Sequence, residues 1–334
     1  MGVCSGCIFP RRRIKMSEFH AIVVKIGPIE KHPNADSLGI TKVWDYPVIV
    51  RLEEFQPGDL AVYVPVDSVV PDQERWAFLK GHMRIRAVKL RGVYSMGLLT
   101  RAEEGMVEGE EVAERMGITR WEPVEPESPD DERDPGFIPS YTDIEGIRRW
   151  PGMLIEGEHV VITEKIHGEC SRFVYKRERL WQASKINFKK PGSDTPWNRA
   201  AKKYGLEAKL GDIPGLAIFG EVSGSVRGMK YGTDAGSPRL TLFDSMDIRT
   251  RKYDDYAEFT AIAAALDLPT VPILYRGPWT ASLRSLAEGK TTVEGADHVR
   301  EGMVVKPVRE RWDDRIGRVI LKLHGEGFNL RKER

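Results

Sequence analysis

In TEKIHGEC, residues 163–170, one lysine stands between a glutamate and a short bend that ends in glycine. Lys165 has two readings there. It is an exposed cation at a strand end, or it is a nucleophile beside a glycine, Gly168, that lets a phosphate approach the backbone. The K-x-x-G spacing alone does not choose. Four more segments end an apolar run in polar residues where a pocket could form: IFGEVSG offers Glu221, LTLFDSMD offers Phe243 and Asp244, EGMVVKP offers Glu301, Gly302 and Lys306, and VILKLHG offers Lys322 and His324. Singly each is ordinary, since a strand-end carboxylate is mostly solvated and a strand phenylalanine is mostly core.

The elements that must position these residues follow from period. HVVITEKI, SRFVYKR, GLAIFGEVSG, RLTLFDSMDI, GMVVKPV and RVILKLHG read as strands. DDYAEFTAIAAALDL predicts a helix with Tyr256, Phe259, Ile262 and Leu266 on one face and Asp254 or Asp255 as its cap, and ASLRSLAEG predicts another. Upstream, FHAIVVKI, GITKVW, YPVIVRL and DLAVYVPVDSVVP are short β-branched runs bounded by turn residues. HMRIRAVKLRGVYSMGLL alternates Met83, Ile85 and Ala87 against Arg84 and Arg86, which predicts a strand with the arginines on one face. Together these runs predict a small closed barrel of OB type. Between the two parts, EEGMVEGEEVAERMG is acidic with a helical second half, and WEPVEPESPDDERDPGFIPS reads as an extended, acidic, proline-rich linker. The resulting division is a disordered leader at 1–16, a barrel module at 17–118, a linker at 119–139 and a second domain at 140–334.

The bulk numbers exclude several classes. A chain of 334 residues, 41% hydrophobic and 30% charged, fits two soluble globular domains. No apolar run reaches the roughly 20 residues that span a bilayer, and MGVCSGCIFPRRRIK fits neither a signal peptide nor the myristoylation pattern. Met16 is the expected true start. Three cysteines, Cys4, Cys7 and Cys170, make no disulfide framework and point to a reducing cytoplasm. Cys4 and Cys7 lack the second pair that a zinc site needs. With a net charge of +1, nucleic-acid binding must come from local patches. Residues 80–101 carry no acid, and residues 184–205 carry six basic residues, Trp197 and one acid, Asp194. The expected contacts are Arg84, Arg86, Lys89 and Arg91 in the first patch and Lys189 and Lys190 in the second; a solvated basic face is the ordinary alternative.

Taken in order, the five strand-end segments resemble the nucleotidyltransferase motifs shared by ATP-dependent ligases and mRNA-capping enzymes. The K-x-H-G form in EKIHG looks like the RNA-ligase branch, and IEKHPNADSLGI with GDLAVYVPVDSVVP resembles the OB domain that precedes the catalytic domain in one family of nick-sealing RNA ligases. The resemblance implies an α+β chain: an N-terminal OB-fold β-barrel, then an adenylyltransferase (ATP-grasp-like) ligase domain of antiparallel sheets with flanking helices. It implies that Lys165 takes AMP from ATP with Mg²⁺ or Mn²⁺, with Lys322 and Lys306 lowering the lysine's pKa and neutralising the α-phosphate. It implies nucleotide contacts by Glu164, His167, Gly168, Lys185, Glu221, Phe243, Glu301 and Lys322, and a metal at Glu221 and Glu301. The implied partner is RNA, as a nicked duplex or an RNA/DNA hybrid, with no membrane, and the protein is expected to be a monomer. Two positions depart from the pattern. His324 replaces the second lysine of the last motif, and ASKINFKK puts Lys185 where Ser-Arg is usual. The ten residues after His324 leave no room for the OB domain that follows the last motif in capping enzymes and DNA ligases. HPNADSL also looks like tRNA-binding OB modules, so the rival expectations are a non-catalytic RNA-binding protein and a DNA ligase of unusual domain order.

Overall fold

A computed structural model describes residues 20–121, 128–224, 229–233 and 236–331. The expected leader at 1–16, with Cys4 and Cys7, lies outside them. Among the described residues no helix is long and apolar enough to cross a membrane.

The class is α+β, as expected. The C-terminal part stands on two sheets. The first runs Asp131–Glu132, Phe188–Lys189, Arg179–Ala183, Glu169–Lys176, Leu216–Ser223, Arg239–Asp247, Lys252–Tyr253. The second runs Glu145–Gly146, Leu321–His324, Gly302–Pro307, His159–Lys165, Ile273–Pro278. Their ladders are antiparallel except that of Glu145–Gly146, which lies parallel to Leu321–His324. The chain leaves the second sheet at Lys165 and enters the first at Glu169, so residues 163–170 join the two sheets at one corner.

Helices cover the first sheet. Helix α1, Pro196–Lys203, starts where the Thr195 side chain accepts from the Asn198 N–H and proline takes the first position. Its Trp197, Ala200 and Ala201 are buried. The basic character of residues 184–205 hides this helix, although Thr-Pro is its start signal. Helix α2, Leu206–Gly211, follows. The predicted α3, Tyr256–Ala265, forms behind a capping box of Asp255 and Glu258. Its Tyr256, Phe259 and Ala263 join α1, α2, Val161 and Phe173 in one core. ASLRSLAEG forms a short 3₁₀ helix, Ala281–Ala287. A single turn, α4, Glu326–Asn329, comes after the last strand.

The N-terminal module has the expected strands, but its ladders do not close into one barrel. Ile22–Lys25, Leu60–Val64 and Leu98–Arg101 form one sheet and Glu30–Lys31, Leu38–Val43 and Tyr46–Arg51 another. Leu60–Val64 is buried on both faces, with Val62 and Val64 toward Trp76 and Ala61 and Tyr63 toward Val48 and Val50. The strand expected at 83–87 is absent. Ile85 and Met83 still face the core, held by Ile85 N–H to Ser68 O at 2.8 Å and Val70 N–H to Met83 O at 3.0 Å. The apolar alternation is therefore real, and the regular ladder begins only at Val88–Leu90. The expected helix in EEVAERMG is also absent; Gly117, at φ 65°, ends a turn closed by Met116 N–H to Val112 O.

The stretch read as a linker is paired at both ends: Thr119–Arg120 with Ser68–Val69, and Asp131–Glu132 with Phe188–Lys189. The two parts also touch directly. Arg284 donates to Asp45 at 2.8 Å and Asn329 donates to the Tyr94 hydroxyl at 2.8 Å.

Candidate active site

Strand register explains which side chains meet. In the second sheet Lys165 pairs with Gly302 and Gly302 with His324; Thr163 pairs with Val304 and Val304 with Lys322; Val161 pairs with Lys306. Cross-strand partners share a face. Lys165, Lys306 and Lys322 therefore line one cleft of about 570 Å³. Glu164, one residue from Lys165, falls on the opposite face by the two-residue period. Its carboxylate is buried and accepts from Thr291 Oγ1 at 2.5 Å and from Thr292 N–H and Oγ1, each at 2.7 Å. Glu164 anchors the 291–292 loop and also stands among the residues that line the cleft.

The first sheet supplies the other wall. Glu221 pairs with Cys170, and its carboxylate accepts from the Gly168 N–H. Gly168, which lines the cleft, is also required by packing. A Cβ there would sit 2.5 Å from Val222 O and 2.9 Å from Glu221 Cγ. Phe243 is the extra residue of a β-bulge, since Gly220 pairs with Leu242 and Phe219 with Asp244. It lines the cleft with its edge against Tyr141, ring centroids 4.8 Å apart.

The electrostatics differ from the expected cationic surround of Lys165. Lys165 Nζ lies 3.0 Å from Glu301 Oε1. Burial works to lower the amine's pKa, but Glu301 and then Glu221 outweigh it, and the net shift is upward. Burial would raise Glu301, yet Lys165, His167 and His324 hold it well below the usual carboxylate range. Burial pushes Glu221 up to about 8, with Lys165 opposing and Glu301 adding to the rise. Burial, then the charges of Lys165, Arg120 and Lys185, bring Lys322 down to about 8. His324 Nε2 is 3.5 Å from Glu301 Oε1 and His167 Nδ1 is 3.5 Å from Oε2. Glu301 Oε2 is buried, and beyond the long His167 contact it has no hydrogen-bond partner among the described residues.

Lys306 does not act on Lys165 as expected. It is ion-paired to Asp244 at 2.5 Å and to Glu310 at 3.2 Å. Lys185 lines the cleft and is paired to Asp143 at 2.5 Å. The expected RNA contacts separate. Lys189 is buried against Asp131 at 2.6 Å, with its amine over Trp197, so it is withdrawn from the surface. Its neighbour Lys190 is exposed, as are Arg86, Lys89 and Arg91. Arg84 is engaged internally, at 2.8 Å from Asp67 and stacked on Trp121. Sequence reasoning misses Tyr141, Arg318 and Glu310, which close around Asp244, because no local spacing links them.

Among the described residues no three His, Cys, Asp or Glu side chains gather as a metal site. Two buried carboxylates, one with an oxygen held only by the long His167 contact and the other pushed toward protonation, nevertheless suit a divalent cation that takes its remaining ligands from water and phosphate.

A model of the RNA ligase family matches residues 158–324, half of the chain, and takes in Lys165, Glu221, Phe243, Glu301, Lys306, Lys322 and His324. The chain belongs to the RNA ligase family. An OB-fold domain model matches residues 20–101. Among solved structures, Naegleria gruberi RNA ligase in a variant with ATP and Mn superposes with a TM-score of 0.80 at 22% identity, over 92% of this chain and 98% of that one. The same enzyme with pyrophosphate gives 0.78 at 23%, over 93% and 98%. At these identities the likeness is one of fold, and it extends through both parts of this RNA ligase. The phenylalanine–tRNA ligase beta subunit of Hahella chejuensis is 40% identical over 87 residues, which are 26% of this chain and 10% of that protein.

Proposed function

We propose that this RNA ligase is ATP-dependent and joins an RNA 3′-hydroxyl to a 5′-phosphate at nicks in a duplex or RNA/DNA hybrid, acting as a monomer through lysyl-AMP on Lys165. The observation that carries the reading is the Lys165 amine, 3.0 Å from Glu301 in a cleft shared with Glu221, Phe243 and Lys322. Structures of the same fold hold ATP with Mn, AMP with Mn, or pyrophosphate.

The cleft suits such a reaction in parts. Phe243 and Tyr141 offer an aromatic wall for a purine. Lys322 and Lys185 face the phosphates as cations. Lys165 Nζ, after losing a proton, forms a bond to the α-phosphorus as the bond to pyrophosphate breaks. A 5′-phosphate oxygen then takes the AMP from Lys165, and a 3′-hydroxyl displaces AMP to seal the strand. Glu221 and Glu301 would hold a Mg²⁺ or Mn²⁺ ion, which would displace the Glu221 proton and weaken the carboxylates' hold on the Lys165 proton. His167 and His324 keep Glu301 oriented from either side.

The test is transfer of labelled AMP from ATP with Mg²⁺ or Mn²⁺, then sealing of nicked duplexes with the sugar varied on each side. Label on the wild type and none on Lys165→Ala supports the reading; label that persists in the variant refutes Lys165 as nucleophile. Sealing that requires a deoxyribose at the 3′-hydroxyl end favours a DNA ligase.

A further inference from the structure

A second cavity of about 1040 Å³ lies between the two parts of the chain and opens from the cleft, since Tyr141, Asp143, Lys185, Ile186 and Lys322 line both. Trp121 stands in its wall, 37% exposed. That indole is held on three counts. Its N–H of the backbone donates to Asp67 O at 2.7 Å. The Arg84 guanidinium lies over the ring, 3.4 Å from its centroid. That guanidinium is fixed by two bonds to Asp67 Oδ1, at 3.1 and 2.8 Å. Trp121 and Asp67 line the cavity and Arg84 does not, so the cation backs the ring and the ring's remaining surface meets whatever enters. Arg120, Arg148 and Arg251 line the same cavity; Arg148 Nη1 donates to Asp45 O at 3.2 Å, and its Nε is buried without a hydrogen-bond partner among the described residues.

We propose that Trp121 is a stacking platform for a nucleobase of the RNA beside the joined ends, with Arg120 and Arg148 along the backbone that carries it. A rigid aromatic surface among cations is what a single nucleotide uses: the base stacks and the phosphate pairs. A phosphate alone gains nothing from an indole. The site continues into the cleft that holds Lys165, so a strand seated on Trp121 leads toward the reacting end. The proposal deepens the RNA-ligase reading and rests on it. It also explains why Arg84, on a basic stretch expected to touch RNA, is turned inward: it positions the platform.

The test uses the full chain and a nicked RNA duplex with 2-aminopurine placed in turn at each base flanking the nick, because stacking on indole quenches that base. The wild type is expected to quench one position strongly. Trp121→Ala loses that quench and raises the KM for nicked RNA about tenfold, the size of one base stack. Trp121→Phe restores most of the KM, since a phenyl ring still stacks, which separates stacking from a folding defect. An equal quench in Trp121→Ala, no responsive position, or a loss confined to the KM for ATP overturns the proposal. The two readings fail differently. A protein that seals nicks with no dependence on Trp121 leaves the ligase and removes the platform. A protein that takes no label from ATP yet quenches through Trp121 keeps the platform and removes the ligase.

Discussion

Around Asp244 every buried charge meets its opposite, and around Glu301 it does not. Asp244 and Glu310 face Arg318 and Lys306, two acids against two bases, with Arg318 at 2.8 Å from Asp244 and 2.6 Å from Glu310. The Tyr253 ring lies 3.7 Å from the Arg318 guanidinium carbon and closes the cluster. At Lys165, Glu301 and Glu221 act on one amine, with Glu301 in contact at 3.0 Å. The balanced cluster locks Gly302–Pro307 to Arg239–Asp247 and so joins the two sheets. The other holds Glu221, which burial keeps protonated up to about pH 8, and that proton can give way to a cation. Complete pairing is the mark of framework, and incomplete pairing in a cleft marks a place for a ligand.

That contrast can be broken most severely at the proposed nucleophile. Lys165→Ala is expected to lower AMP transfer by roughly 10⁶-fold, the loss seen when other covalent nucleophiles are removed, while urea denaturation shows the protein still folded. In the balanced cluster the expected outcome is reversed. Asp244→Ala leaves two buried cations, Lys306 and Arg318, with Glu310 as their one shared carboxylate and costs about 3–5 kcal/mol in stability, read as a lower urea midpoint.

pH separates the clusters by sign. Burial would raise Asp244, but Arg318 and Lys306 hold it at about 2, below its ordinary 3.8. Its contribution to stability is therefore present above pH 3.8 and is lost as pH falls toward 2. Glu221 has the opposite sign. Its folded value of about 8 exceeds the ordinary 4.5, so the folded protein keeps a proton that the unfolded chain releases. Stability from that group falls as pH rises between those values. Glu221→Gln is expected to gain roughly 1–3 kcal/mol over the wild type by pH 8, with little difference at pH 4, and to lose AMP transfer. Thermal melts across that range check the sign; a variant less stable than the wild type at pH 8 contradicts it.

The smallest expected effect distinguishes two adjacent lysines. Lys190→Ala should leave stability within about 0.5 kcal/mol and reduce the salt slope of RNA binding by about one. Lys189→Ala should instead lower stability, since it removes the partner of Asp131. Equal effects of both on RNA binding would place Lys189 at the surface after all.

Those two lysines also show what the sequence carries and what it hides. Strand period marks His159–Lys165, Gly302–Pro307 and Leu321–His324, and the order of their polar ends puts Lys165, Glu301 and Lys322 together. The same period already sets Glu164 opposite Lys165. What Glu164 faces depends on Thr291 and Thr292, well over a hundred residues away. Lys189 and Lys190 are one residue type in one patch, and only the pairing of Asp131–Glu132 with Phe188–Lys189 decides which is buried. The charge around Lys165 is the largest difference. Motif order brings the cations near, but Lys306 is captured by Asp244 and Glu310, and long-range pairing of that kind has no local signature.

The central claim is that two carboxylates hold the proton on Lys165 until a divalent cation relieves them. NMR titration of the Lys165 side chain, assigned through loss of its signal in a Lys165→Arg variant and followed with and without Mg²⁺, measures this directly. The predicted result is a pKa above the ordinary lysine value in the free protein that falls when Mg²⁺ is added, with Glu301→Gln removing most of the difference. A Lys165 pKa at or below the ordinary value without metal, unmoved by Mg²⁺, would contradict it.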